Sequence, residues 1–500
     1  MVNFVVQGLK YGFDIGFRGQ TVPTQPKNLR SAMDNEELVT QAILKEIRRG
    51  HTAGPFSDPP FTVVHCSPLG AVVKKDGTCR LVLDLSQPKG CSINEGILKE
   101  DYAVEYTHFD RATDMVKVAG QNCYLSKLDI KHAFRLIPVH SSQWHLLCYM
   151  WNGNYFVDVV LPFGLRSSPG IFGQFARLVL WVIVTKYGIV MIVNYADDFF
   201  LVGGQDKQIA QQQLDTVILA FDEMGVPLAK EKIVGPVHNL TYLGIGINSN
   251  DLTIEITKER YEETMSLLPR WLQRRTCTKR ELLSLIGKLS FVCKIVRPGR
   301  IFLRRLIDLS KTVQELHLHV TLNSEARADI HWWHAFLPSW SRISIILDPQ
   351  RVLSSDIKLF TDASDRGFGA IFNKAWIQGA WNDERSSKSI DYRELFAIVA
   401  AALTWGHLWE GRRIIFVTDN LPITQVWSSG SSRTPDIMSL IRTLFLHAAK
   451  WCFTVSFKHI LGVNNPAADS LSRFQVRRFQ QLMPEADQQS TAIPAQVWSL

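Results

Sequence analysis

The sequence predicts an α+β chain of several domains, and two observations carry that prediction. Short apolar, β-branched runs recur, each delivering an aspartate: residues 125–128 before Asp129, 190–193 before Tyr195-Ala196-Asp197-Asp198, 357–361 before Asp362, and 414–418 before Asp419. Runs of this length and composition are buried strands. Between them lie stretches of helical character, among them residues 172–186 and the alanine- and leucine-rich residues 393–403. At roughly 150 residues per domain, the 500 residues allow about three domains, and 46% hydrophobic content supplies their cores.

Residues 35–49 predict an amphipathic helix, followed by a Gly/Pro-rich stretch at 54–60. Asp129 then ends a short strand, and an aromatic, Phe134, follows five residues later. The Gly/Pro turn at residues 161–171 opens into the helix at 172–186. Asp197-Asp198 falls between two strand-forming runs, 190–193 and 199–202, and so sits at a hairpin tip. A buried sheet has no structural use for adjacent carboxylates, which are costly to bury unless a cation neutralises them. Aspartate oxygens suit Mg²⁺, which takes one or two protein carboxylates and completes its shell with water and phosphate oxygens. A lone Asp-Asp pair would more often be a solvated turn. Asp129 upstream argues for the metal.

Net charge is +8 with pI near 9.0. Residues 270–305 hold eleven Lys/Arg against one acid, Glu281, more than the whole excess. Thr278-Lys279-Arg280-Glu281 is a capping box ahead of the apolar residues of an amphipathic helix. A one-sign helical face of this kind attracts phosphates without regard to base sequence. The eight cysteines are scattered with no C-x-x-C pair, which speaks against a zinc finger or a disulfide framework and for a reducing compartment. The histidines near 317–319 and 331–334 have no ligand partners at metal spacing and are expected to be packed or solvent-facing. The longest apolar run near the Asp-Asp hairpin, 178–184, falls short of the roughly 20 residues of a membrane span, and the N-terminus lacks signal-peptide order. An intracellular protein, cytoplasmic or nuclear and not secreted, is expected, with no membrane partner.

The ordered blocks at 124–134, 161–172 and 190–204 resemble the palm of a reverse transcriptase. Residues 74–84 resemble the fingers hairpin that grips the incoming triphosphate, 225–232 the later palm motif with its lysine, and 242–245 the primer-grip hairpin. Beyond about residue 355 the resemblance is to ribonuclease H: Asp362 on a strand beside residues 367–372, Glu394 in the first turns of a helix, Asp419 after a strand, and Asp469 on a helix starting near Asn465. His459 matches that family's mobile histidine. Within reverse transcriptases the likeness is nearest the DIRS and Ngaro type, retrotransposons that integrate with a tyrosine recombinase. It is carried by residues 9–19, 282–306, Trp332-Trp333 and 459–473.

The resemblance implies a right-hand polymerase (fingers, palm, thumb), then a connection and a ribonuclease H-like α/β domain. The boundaries expected are 1–54 for an N-terminal extension, 55–250 for fingers and palm, 251–355 for thumb and connection, 356–475 for ribonuclease H, and 476–500 for a polar linker or tail. It implies two Mg²⁺ ions per site, or Mn²⁺ in their place, held by Asp129, Asp197, Asp198 and the Ile130 carbonyl in the palm, and by Asp362, Glu394, Asp419 and Asp469 downstream. Lys74, Lys75 and Arg80 would clamp phosphates, Lys232 would protonate pyrophosphate, and Phe134 would exclude a ribose 2′-hydroxyl. Phe163 and Gly164 would line the substrate pocket. Ala196 departs from the larger apolar residue usual at its position. The implied partners are an RNA template, a DNA primer, an RNA–DNA hybrid and deoxynucleoside triphosphates, with a Gag-like protein and the recombinase as other polyprotein parts. The competing reading is a catalytically silent nucleic-acid-binding remnant, and the seven carboxylates argue against it. An RNA-dependent RNA polymerase would need neither Phe134 nor the downstream acids.

Overall fold

The structure is a computed structural model that describes residues 2–74, 77–104, 107, 109–340, 342–345, 357–429, 432, 434–451 and 453–500. It separates into two compact units, Met1–Leu243 and Gly244–Leu500.

In the first unit, four antiparallel strands form one sheet in the order Ile192–Tyr195, Asp198–Val202, Leu125–Asp129, Val234–Val237. Leu125, Leu128, Phe199 and Leu201 are buried, as their apolar, β-forming character predicts. The helices Ser168–Tyr187 and Lys207–Glu223 cover this sheet, with Phe221 meeting Phe199 edge-on at 5.1 Å. The first helix begins four residues before the expected 172, because Pro169 in its first turn starts the helix instead of breaking it. Its 20 residues are long and apolar enough to cross a membrane, which corrects the shorter span expected from residues 178–184. Ile171, Phe172, Phe175, Ala176, Val179 and Ile183 are buried in the core, which accounts for that apolarity. Leu69–Val73 and Cys79–Leu83 make a separate hairpin, and Thr52–Phe56, Asn154–Asp158 and Cys148–Trp151 a three-stranded sheet.

The first 54 residues are built into this unit. Val5, Phe13 and Ile15 join the same core cluster as the sheet, as do Val39 and Ile43 from the helix Glu36–Arg48.

The second unit opens with the antiparallel strands Ile245–Asn248 and Thr253–Ile256, and a helical part follows. Lys258–Leu272 packs on Ser324–Phe336, and Lys279–Val292 starts at Thr278 with the expected capping box. The rings of Phe302 and Trp332 stack at 3.6 Å. A five-stranded sheet follows, ordered Ala375–Ala380, Gly367–Phe372, Ile357–Ala363, Arg413–Thr418, Thr454–His459, with the last three strands parallel and the first two antiparallel. The helix Ile390–Trp405, apolar on nearly every side, is buried between the sheet and the helix Pro435–Lys450. Residues 476–500 are not an open linker. Phe479 and Val497 are fully buried, Trp376 donates to the Asp487 carbonyl, and Arg385 donates to the carbonyls of Trp498 and Leu500. Their spaced apolar residues, hidden in a polar stretch, are what anchor them.

Candidate active sites

The first site stands where two strands meet. Asp129 and Asp198 are directly opposite one another in antiparallel register, and Tyr195 pairs with Asp198, so Ala196 and Asp197 form the two-residue turn. Such a turn needs positive φ, which Ala196 adopts at +53°. The Asn194 amide holds it by donating to the Ala196 carbonyl at 3.1 Å, and the Ile130 amide donates to the Asp197 carbonyl at 3.0 Å. Three carboxylates converge by backbone geometry alone.

Their electrostatics match. Burial, with Asp197 and Asp129 close by, pushes the Asp198 carboxyl up to about 6. Burial raises Asp197 as well, and the charge of Asp129 adds to it, while Lys232 and Arg80 act against it. Lys232 donates to both oxygens of Asp129, at 2.9 and 3.0 Å. Partial burial disfavours its ammonium, yet that bond and the three aspartates leave its pKa raised. Hard oxygen donors that repel one another fit a divalent cation. Asp129, Asp197 and Asp198 are the acids here that could hold one.

Beside the carboxylates, Phe134 lies 5.4 Å from both Phe163 and Phe172. It is brought there by His132 and Ala133, two successive residues at positive φ. The Arg80 guanidinium covers the Phe163 ring at 4.6 Å. Gly164 has φ +104°, and a Cβ there would collide with the Leu83 carbonyl, so the loop demands glycine. Lys74 lies at the turn of the exposed hairpin, its amide donating to the Thr78 carbonyl; Lys75 lies outside the described residues. Sequence reasoning missed Asn94. Its amide donates to the Gly164 carbonyl and to Ser86, and its Oδ1 accepts from the Arg166 amide at 2.8 Å, fastening the pocket loop to the base of the hairpin. A lone Asn in an irregular segment gives no signal for such a role.

The second unit carries the other cluster. Asp362 ends the central strand, Glu394 projects from the buried helix and Asp419 follows the neighbouring parallel strand; ligand oxygens of all three lie within 4.8 Å of one another. The Ala363 amide donates to Glu394 Oε1 at 3.1 Å, whereas Glu394 Oε2 is buried without a partner among the described residues. Burial, with Asp362 adjacent, holds the Glu394 carboxyl well above the usual carboxylate range. Asp362 is pushed up to about 6 by burial, against a Ser472 hydroxyl bond at 2.6 Å, with Asp419 and Asp469 raising it further. An orphaned buried oxygen among mutually repelling acids fits a divalent cation. Gly462 approaches so closely that a Cβ would stand 2.8 Å from Asp419 Oδ2. His459 Nε2 lies 3.1 Å from the Asp419 carbonyl oxygen.

Asp469 stands outside that triad. Arg473 binds its Oδ1 at 2.6 Å and Arg478 approaches its Oδ2 at 3.6 Å. The basic segment is also more compensated than its sequence suggests. Acids outside it reach in, with Glu263 on Lys288, Asp308 on Arg304, and Glu325 and Asp329 on Arg305; Glu281 within it pairs with Arg274. The side chains of Arg270, Arg275 and Arg280 are exposed and make no ion pair among the described residues.

Residues 72–247 match the family profile described as reverse transcriptase (RNA-dependent DNA polymerase), so the chain carries a reverse transcriptase domain there. The transposon Tf2-3 and Tf2-7 polyproteins of Schizosaccharomyces pombe are each 23% identical over 455 residues, covering 87% of this chain. The chain spans 30% of the length of these relatives. Among solved structures, a foamy viral protease-reverse transcriptase (dRH form) in complex with double-stranded DNA is similar, with a TM-score of 0.53 and 17% identity, over 89% of this chain and 73% of that one. The foamy viral enzyme in complex with an RNA/DNA hybrid gives a TM-score of 0.51 at 17% identity, over 89% and 56%. The fold is accordingly a multidomain mixture of helix and sheet, which fits a polymerase followed by a ribonuclease H-like domain.

Proposed function

We propose that this chain is the RNA-directed DNA polymerase and ribonuclease H portion of a retroelement polyprotein, which copies RNA into DNA and degrades the RNA strand of the hybrid. The observation that supports this most is the presence of two separate carboxylate clusters, Asp129 with Asp197 and Asp198, and Asp362 with Glu394 and Asp419. The first is built from two strand ends and a turn, the second from a strand, a helix and a post-strand loop, and each repels itself in the absence of a cation.

Two Mg²⁺ ions per site, for which Mn²⁺ could substitute, would supply the charge that activates a hydroxyl or a water and stabilises the phosphoryl oxygens. The protein's own groups do the positioning. Arg80, whose guanidinium is planar and already oriented by stacking on Phe163, is placed to clamp a triphosphate, with Lys74 on the same hairpin as a point charge. Phe134, wedged between Phe163 and Phe172, presents a ring fixed in place and able to exclude a 2′-hydroxyl by volume. Lys232 keeps its proton at Nζ through Asp129 and is positioned to give it to pyrophosphate. In the downstream site His459 can carry a proton to or from solvent beside Asp419, and Asp469 would complete the metal-ligand set.

The domain limits proposed are 55–250 for fingers and palm, 251–355 for thumb and connection, and 356–475 for the nuclease. The DIRS and Ngaro placement, an intracellular site of action and the association with a Gag-like protein and a tyrosine recombinase belong to this proposal. Primer extension on a poly(rA) template with Mg²⁺ or Mn²⁺, paired with cleavage of a labelled RNA–DNA hybrid, tests it. Both activities are expected from the one chain, and duplex binding with neither activity would establish the silent remnant instead.

A further inference from the structure

The acid that stands apart from its three partners carries an inference that rests on the metal-site reading above. We propose that Arg473, backed by Arg478, is a displaceable counter-cation that engages Asp469 and thereby makes one of the two metal positions in the downstream site weaker than the other. Three observations lead there. Asp362, Glu394 and Asp419 already bring oxygens within 4.8 Å of one another, a preformed position, and Asp469 is outside it. Both Asp469 oxygens face guanidinium groups, Arg473 Nε at 2.6 Å and Arg478 Nη1 at 3.6 Å. Asp469 is nonetheless close enough for its charge to act on Asp362, so it belongs electrostatically to the same site.

The local sequence explains the arrangement. Asp469 lies in the short helix Pro466–Ser472, and Arg473, four residues on, caps that helix. Ser472 and Arg473 are consecutive and reach two different acids, the hydroxyl to Asp362 and the guanidinium to Asp469. One chain turn therefore fixes one ligand and neutralises another. The arginine side chains are about half exposed, 52% and 51%. Solvent screens such pairs and makes them inexpensive to open. A divalent ion carries twice the charge and can displace them, but against a competitor that the first position lacks.

The bland alternative is an ordinary helix-surface pair at i,i+4 spacing. The two are separated by titrating the full chain, with the palm silenced by Asp129→Asn and Asp197→Asn, with Mn²⁺ in a calorimeter. Two classes of binding are expected, the weaker abolished by Asp469→Asn. Arg473→Gln should tighten that weaker class by up to about fivefold, the scale of one screened ion pair, and leave the tighter class unmoved, with Arg473→Lys close to the parent. Circular dichroism checks that each variant is folded. If Arg473→Gln leaves the weaker class unchanged, or tightens both classes equally as a general loss of positive charge would, the gating role is overturned. If no Mn²⁺ binding depends on Asp362 or Glu394, the metal-site reading itself fails and takes the inference with it.

Discussion

The two carboxylate clusters solve one problem in different ways. In the palm sheet, Asp129 and Asp198 face each other across a single pair of hydrogen-bonded strands and Asp197 occupies the adjoining turn, so two strands and one turn place all three. Downstream, the acids come from a strand, a helix and a post-strand loop, and long-range packing alone brings them together. The resident cations differ too. Lys232 sits on a member of the palm cluster itself, whereas Arg473 sits on the acid outside the downstream triad and leaves Glu394, 4% exposed, with an unpartnered oxygen among the described residues. The palm cluster thus carries its own partial neutralisation. The downstream cluster depends more on an added ion.

The sharpest way to break the comparison is to remove one acid from each cluster. Asp197→Asn keeps shape but deletes charge, and DNA synthesis should fall by roughly 10²–10³-fold or more, the cost of losing one preorganised electrostatic element. Hybrid cleavage should be unaffected. Glu394→Gln should give the mirror image, cleavage abolished and primer extension intact, in gel assays of both reactions on one preparation. Cleavage persisting undiminished in Glu394→Gln, with contaminating nuclease excluded, would reduce the second cluster to a structural relic.

Stability in the absence of metal sharpens the contrast. Folding raises the Asp362 carboxyl to about 6 from its ordinary value of 3.8, so its contribution to stability is present at low pH and fades as pH rises through about 4 to 6. Asp198 has the same sign and size, with the opposing charge of Lys232 already counted. Glu394 is raised further still in direction. Without metal, the second unit should lose melting temperature on going from pH 5 to pH 7, and Mg²⁺ should restore more of it at pH 7 than at pH 5. Metal addition should move the Glu394→Gln protein less than the parent. Equal metal effects at the two pH values would show that these acids do not repel one another in the folded chain.

The palm was legible because its chemistry is contiguous: an aspartate after a strand, a Gly/Pro turn, two aspartates at a hairpin tip. Even Gly164 could be singled out. What could not be read is why it must be glycine, since the colliding Leu83 carbonyl belongs to another hairpin. Gly164→Ala should raise the KM for deoxynucleotides about tenfold and cost roughly 1–3 kcal/mol in stability, the usual size of a forced backbone; steady-state kinetics and thermal melting read the two separately. The four downstream acids were visible at strand and helix positions, and the i,i+4 spacing of Asp469 and Arg473 permits their pairing, but that Asp469 takes this pair and stands outside the triad was not legible. The folded tail was hidden because its apolar residues, Phe479 and Val497 among them, are few and interspersed with polar ones. Long-range packing decides the glycine and the tail, whereas the arginine pair is local.

The smallest effect expected concerns the basic segment, where the sequence and the structure give different weights to the same eleven residues. Arg274, Lys288, Arg304 and Arg305 have acidic neighbours that already compensate them, so reversing their charge exchanges an intramolecular pair for a repulsion and should act mainly on folding. Arg270, Arg275 and Arg280 are exposed and have no such pair among the described residues. If this face meets a nucleic-acid backbone, the double change Arg275→Glu and Arg280→Glu should weaken duplex binding alike for all sequences. It should also flatten the plot of log affinity against log salt by roughly 0.9 for each phosphate the variant no longer neutralises. The control Arg274→Glu should change melting temperature with a smaller change in that slope. Fluorescence anisotropy across a salt series measures the slopes, and thermal melting the stabilities. A slope unchanged in the double variant would show that phosphates are held by other residues, leaving the segment's excess charge to a different partner.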